Sequence, residues 1–190
     1  MEEKIATLKR IANHLIINSS FIEDLGLYNG KMGIVLFFAH YARFVNNSVL
    51  EDFMGELLDE IYEEIDEQQS IDLKNGLCGI GWGILYLLKH KFVEGVPSII
   101  LKNIDYQIIN SRITYKDINE LGLDFYIKER IMADDYNEYY HKYIRFLKKS
   151  KSEDINMFIS SDFNINTNIR NWKLGLYDGC AGFGLKLILE

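Results

Sequence analysis

The chain has 190 residues, 48% of them hydrophobic, and a formal net charge of −7. That is enough for one domain with a real core, and it excludes wholesale disorder. The acidic balance disfavours nucleic acid or an anionic membrane as the main partner. The strongest basic run, Lys148-Lys149-Ser150-Lys151, follows a tyrosine-rich helical pattern and reads as the solvated end of that helix.

A single proline fits a chain that is mostly helix. The opening Met1-Glu2-Glu3-Lys4 begins an amphipathic pattern without the apolar centre and cleavage site of a signal peptide. No apolar run reaches the roughly 18 residues of a membrane span, so the cytoplasm is the expected compartment. The two cysteines, Cys78 and Cys180, are then expected as reduced thiols.

In chain order, residues 3–18 place Ile5, Leu8, Ile11, Ala12, Leu15 and Ile16 on one helical face. Residues 33–43 are apolar on nearly every side. Periodicity does not separate a buried helix from a buried strand there, but length favours a helix. Residues 49–66 form an amphipathic helix on Leu50, Phe53, Met54, Leu57, Leu58, Ile61 and Ile65, with Ser48 and Glu51 at capping-box spacing. Its other face carries Glu51, Asp52, Asp59, Glu63 and Glu64, which reads as a solvated surface. Residues 79–89 repeat the all-round apolar character. Pro97 suits the first turn of a helix running through Ile99, Ile100, Ile104 and Ile108. Residues 116–131 and 134–149 read as helices, the latter with a core stripe of Tyr136, Tyr139, Tyr140, Tyr143 and Phe146. The Asn- and Ser-rich stretch 160–170 is a loop.

One pattern recurs. Asn29-Gly30-Lys31-Met32-Gly33-Ile34 matches Asn75-Gly76-Leu77-Cys78-Gly79-Ile80 and Asp178-Gly179-Cys180-Ala181-Gly182-Phe183. Leu25-Gly26-Leu27-Tyr28 precedes the first copy and Leu174-Gly175-Leu176-Tyr177 the last. A further Leu-Gly-Leu at 121–123 lacks the later glycines, and Tyr126 falls at the phase of Gly30. The anchors Gly30, Gly76, Tyr126 and Gly179 lie 46, 50 and 53 residues apart, a period of two helices with their connections. This gives one domain over 1–190 of four helical hairpins, the third degenerate. The glycines admit close packing at each inner-helix start and supply positive φ in the turn. Alternatively, the amides of those starts gather into an anion or carboxylate site formed by Asn29, Gly30, Gly33, Asn75, Gly76, Gly79, Asp178, Gly179 and Gly182.

Hairpins of one amphipathic and one apolar helix, with Gly-x-x-Gly at each apolar start, resemble the lanthionine synthetase C-like (LanC-like) family. The resemblance implies an all-α fold, an α/α toroid that is partial here, because complete members close a ring of seven hairpins in a longer chain. It also implies a peptide-modification setting. The family's cyclases hold zinc and activate a peptide cysteine as thiolate, which adds to a dehydrated Ser or Thr. Their ligands are a Cys-His pair directly before one motif glycine and a Cys two residues before another.

The matching positions here are Tyr28-Asn29, Lys74-Asn75, Asp124-Phe125 and Tyr177-Asp178. None is Cys or His. Cys78 and Cys180 fall after the first motif glycine, out of that phase, and are expected as small buried residues and only weak metal candidates. His14, His40, His90 and His141 are not within helical reach of one another in sequence, none neighbours a cysteine, and they read as structural. Zinc activation of a thiol needs three protein ligands and an open position, so no cofactor is expected.

The expected function is therefore a non-catalytic LanC-like protein that binds a peptide or a partner enzyme in peptide maturation. The alternative is a divergent enzyme, either a metal-dependent thioether cyclase or a toroid hydrolase working through carboxylates such as Asp72 and Asp178. Four hairpins leave a seven-hairpin ring open, so apolar surface near Phe37, Phe38, Trp82 and Tyr86 is expected to be covered by a second copy, a homodimer completing the ring.

Overall fold

The structure is a computed structural model that describes residues 2–111, 113–133, 140, 144, 154–160 and 162–190. Every regular element among them is helical: α1 (Glu2–Asn18), α2 (Lys31–Val45), α3 (Ser48–Glu64), α4 (Leu77–Lys89), α5 (Pro97–Ile100), α6 (Lys102–Asn110), α7 (Tyr115–Glu120), α8 (Leu123–Ala133) and α9 (Cys180–Leu189), with short 3-10 turns between some of them. The fold is all-α, as the periodicity predicts. The helix expected over 134–149, its tyrosine stripe apart from Tyr140, His141 and the basic run at 148–151 lie outside the described residues.

The apolar runs are helices and not strands. In α2 every residue from Lys31 to Ala39 is buried, and in α4 every residue from Leu77 to Leu87. A helix that is apolar all round must be covered all round, and these two are. By contrast, α1 buries only Leu8, Ile11, Ala12 and Leu15, and α3 only Met54, Leu57 and Ile61, the stripes expected of amphipathic helices.

The chain divides into two compact units. The first comprises Met1–Ile65 with Asp154–Glu190 and so contains the first and last copies of the glycine motif. Here α2 and α3 form a tight hairpin. Asn46 ends α2 in the left-handed region, at φ 51, and its amide reaches back to Ala42 and Arg43. Asn47 starts α3, its side chain accepting from the Val49 amide at 3.0 Å. The cap is therefore Asn47 and not Ser48. Helix α9 packs on α1 and α2 through Gly184: a Cβ there would stand 2.6 Å from the Phe37 ring and 3.4 Å from Ile11.

The acidic face of α3 is not all solvated. Lys31, in the first turn of α2, has only 4% of its side chain exposed, and its ammonium lies 3.0 Å from Glu64 and 3.1 Å from Glu60. Burial and the positive end of the helix dipole both oppose a cation there. Burial alone would lower the Lys31 pKa, but hydrogen bonds from Glu64 and Glu60 outweigh it and hold the pKa above the usual lysine value. Glu64 is thus the partner of a buried cation.

The second unit spans Asp66–Glu153. The helix expected from Pro97 onward breaks at Leu101 (φ −89, ψ 5) into α5 and α6. The helix expected over 116–131 is two, α7 and α8, parted by Gly122 at φ +71, a conformation that glycine adopts without strain. Thr114 and Asp117 form the capping box of α7, its pattern present in the sequence but overlooked there. Tyr126 is not at a helix start. It lies in the first turns of α8, fully buried, against the bare Cα of Gly81, where a Cβ would meet its ring at 2.4 Å.

The apolar side chains expected to stay open are covered within the chain. Phe37 and Phe38 are 0% exposed, Trp82 2% and Tyr86 8%. The apolar reason for a second copy to complete a ring is therefore absent at these four residues.

Two predictions follow from this packing. A methyl at Gly182 would stand 1.8 Å from the Leu176 carbonyl oxygen, whereas one at Gly55, inside α3, meets nothing within 4 Å. Gly182→Ala is expected to destabilise by about 3 kcal/mol or more, and Gly55→Ala to stabilise by roughly 0.5–1 kcal/mol. Thermal unfolding of the two variants checks this, and equal effects would refute it. For the buried cation, Glu60→Ala with Glu64→Ala strands an ammonium and is expected to cost about 1–3 kcal/mol, while Lys31→Met removes the charge with its desolvation cost and stays within about 1 kcal/mol of wild type.

Candidate functional site

The three motif turns share one construction. Gly30, Gly76 and Gly179 are the N-caps of α2, α4 and α9, with φ of −102, −115 and −115. These are extended values open to any residue, so positive φ is not what the motif glycines provide. What requires glycine is the loop coiled beneath each one. A Cβ at Gly30 would lie 2.3 Å from the Asp24 oxygen, at Gly76 2.3 Å from the Ser70 oxygen, and at Gly179 2.5 Å from the Gly175 amide and carbonyl.

That loop also consumes the helix-start amides. Lys31 donates to the Asp24 carbonyl at 2.8 Å, Leu77 to Ser70 at 2.7 Å and Cys180 to Lys173 at 2.8 Å. Met32 and Ala181 donate to Leu25 and Leu174, both at 3.2 Å, and Gly182 to Gly175 at 3.3 Å. Each start is capped by backbone from seven residues upstream, so these donors are committed to the chain itself.

The first and last copies meet in the first unit, and Asn75, Gly76 and Gly79 lie in the second. The bare Cα of Gly175 admits the Tyr28 carbonyl, which accepts from the Tyr177 amide at 3.0 Å. The Tyr28 and Tyr177 rings stack with centroids 4.9 Å apart and planes 11° from parallel. Burial, then the neighbouring Tyr177, push the Tyr28 phenol above its usual pKa. Gly33 likewise leaves room for Leu27 and Leu176. Asn29 is exposed beside its glycine, and Asp178 pairs with Lys173.

Asp72 works in the turn. Its Oδ1 accepts from the amides of Lys74 at 2.7 Å and Asn75 at 2.9 Å, and its Oδ2 accepts from the Ser70 hydroxyl at 2.6 Å. Burial alone would raise its pKa, but these donors outweigh it and hold the carboxyl below the usual range. Asp72 and Asp178 lie in different units, each tied into its own turn.

The donor set does not fit a zinc thiolate site. Of the four pairs at the phase of the family's Cys-His pair, Tyr28-Asn29 and Tyr177-Asp178 bring the stacked rings, while Lys74-Asn75 and Asp124-Phe125 lie in the second unit. The cysteines belong to different units and are fully buried. Burial, aided by the negative charge of Asp72 and Asp105, pushes the Cys78 thiol well up, and burial pushes Cys180 up to about 12. Both changes oppose the thiolate that zinc binds. Among the described residues no three His, Cys, Asp or Glu side chains are grouped to hold a metal. His14 Nδ1 accepts from Asn18 Nδ2 at 3.2 Å and its ring meets Trp172 edge-on, and His90 lies against Tyr86 with ring centroids 4.1 Å apart.

A buried polar cluster in the second unit was not foreseen. Asp105, 7% exposed, accepts from the Tyr126 and Tyr140 hydroxyls at 2.6 and 3.0 Å and from Arg130 Nε at 3.0 Å. Burial foremost, with the nearby carboxylate, raises both tyrosines. The signal was present: Asp105 shares the face of Leu101, Ile104 and Ile108, a charge on an apolar stripe.

Two clefts open on the same unit. One of about 650 Å³ lies among Leu85, Leu88, Lys89, Pro97, Glu129 and Met132, with Lys89 and Glu129 paired at 2.8 Å. The other, of about 480 Å³, runs along α6.

The thiols give a direct check. At about pH 8 both are expected to stay protonated and enclosed, so dithionitrobenzoate labels the native chain at under roughly a hundredth of the rate seen in denaturant. Rapid labelling of either cysteine in the native chain would overturn this account of the site.

Comparison with known proteins bears on the same residues. The sequence profile of the family described as lanthionine synthetase C-like protein matches residues 3–141. The match takes in the first two motif copies and the degenerate third, and stops short of the copy at Gly179. No curated protein and no solved structure gives a match. Together with the all-helical fold and its glycine-capped inner helices, the matched span, most of the sequence, shows that the chain belongs to the lanthionine synthetase C-like family.

Proposed function

We propose that this LanC-like chain is non-catalytic and binds a peptide or a partner enzyme during peptide maturation. The observation that carries the reading is the set of motif-frame pairs Tyr28-Asn29, Lys74-Asn75, Asp124-Phe125 and Tyr177-Asp178, none of them Cys or His, with Tyr28 and Tyr177 stacked on each other. A phenol held above its usual pKa and a ring packed on its neighbour supply no soft anionic ligand, and thiol activation by zinc needs such ligands. The raised thiols of Cys78 and Cys180 support the same reading, since neither is available as a nucleophile or ligand near neutral pH. Loss of the metal ligands leaves the helical scaffold intact, because the turns are built on backbone hydrogen bonds and glycines.

The test uses untagged protein and a labelled linear peptide containing one cysteine and one dehydroalanine. Zinc content by mass spectrometry is expected well below one per chain. Thiol consumption by the peptide in added zinc is expected to match that of peptide and zinc alone, while the peptide's fluorescence anisotropy rises saturably with protein. Stoichiometric zinc with accelerated thiol loss would restore the cyclase reading. A flat anisotropy curve would remove the binding role.

A further inference from the structure

The cleft along α6 has a lining unlike the rest of the surface. It carries four carboxamides, Gln69, Asn103, Gln107 and Asn110, together with Tyr106 and the carboxylate of Glu67. Among the described residues no lysine or arginine lines it, which disfavours a phosphate or another anion. Three of the carboxamides stand on α6 at positions i, i+4 and i+7, so they share one helical face. On the opposite wall, Gln69 donates through Nε2 to the Asn75 carbonyl at 2.8 Å, which ties that wall to the second motif turn and leaves Oε1 as an acceptor. Gln107 Nε2 donates to Asn103 Oδ1 at 3.4 Å, a long and weak hydrogen bond. Tyr106 is 67% exposed beside them.

A carboxamide has a donor and an acceptor side by side, and a peptide group offers the complementary pair. Spacing then selects the ligand. At about 1.5 Å of rise per residue, Asn103 and Gln107 are about 6 Å apart along the helix and Gln107 and Asn110 about 4.5 Å. Residues on one face of an extended chain repeat at about 6.6 Å, so the three carboxamides span some three residues of such a chain. We infer that this cleft holds an extended, uncharged peptide segment by its main chain, with an apolar side chain of the segment against Tyr106. This rests on the peptide-binding reading above and gives it a place in the second unit.

The experiment is a nuclear magnetic resonance titration of the whole chain, labelled with nitrogen-15, against three probes. The first is a capped, neutral octapeptide of alternating serine and alanine with a central leucine. The second is the same peptide N-methylated at every residue, and the third is a linear neutral glucan. The plain peptide is expected to shift the side-chain amide signals of Asn103, Gln107 and Asn110, and the N-methylated one, stripped of main-chain donors, to leave them in place. Gln107→Ala with Asn110→Ala, both accessible positions, is expected to weaken binding about tenfold, the loss of two ordinary hydrogen bonds. Shifts produced by the glucan and not by the peptide would overturn the proposal in favour of a saccharide site. Peptide-induced shifts confined to the Lys89–Glu129 cleft would overturn the location while leaving peptide binding intact. No shifts with any probe would overturn both.

Discussion

At each of the three motif turns a backbone atom stands where a side chain's first carbon would have to be. The loop before an inner helix coils back so that carbonyls seven residues upstream reach the first amides of that helix. The only route for that loop passes through the space a Cβ at Gly30, Gly76 or Gly179 would occupy. A helix start is ordinarily satisfied by an N-cap side chain or by water. Here it is satisfied by main chain, and that allows α2, α4 and α9 to start with their first turns buried. The motif is a way to bury a helix N-terminus.

The degenerate third repeat shows the same constraint from the other side. Tyr126 replaces the glycine, and the coiled loop is gone with it. Helix α8 begins at Leu123, directly after Gly122, and Tyr126 is carried inside the helix to fill the space left bare at Gly81. Its hydroxyl then needs a partner in the interior, and Asp105 supplies it, held in turn by Arg130 and Tyr140. A buried carboxylate is tolerable only with its lone pairs engaged. Losing one glycine thus goes together with a change of helix start, a new aromatic in the core and a polar cluster to hold it.

This explains what could be read in advance. The helices α1, α2, α3 and α4 were legible because their apolar spacing, or its absence on α2 and α4, follows directly from burial. The repeat was legible because close backbone contact admits only glycine and leaves a mark at fixed spacing. The breaks at Leu101 and Gly122 were not, since a helix interrupted for one or two residues keeps nearly the same apolar period on both sides. Lys31 and Asp105 were missed for a related reason. Each lies in an apolar helix face, and its partners, Glu64 at 33 residues and Tyr126 at 21, are distant in sequence. At the candidate site the motif positions and the close packing of their glycines were legible, but the commitment of the helix-start amides was not. Nothing in a single sequence tells a free helix-start amide from one already bonded to a loop carbonyl.

The same construction decides which side chains of the first unit meet. In the first unit, the positions just before Gly30 and Gly179 are brought together by backbone, through the Tyr177 amide on the Tyr28 carbonyl and the close approach at Gly175. Whatever side chains stand there are delivered to one place as a consequence of the turns. With tyrosines at both positions, the delivered pair stacks at 4.9 Å and contributes about 0.5–1.5 kcal/mol beyond its buried area. Both positions belong to the packing between the first and last repeat.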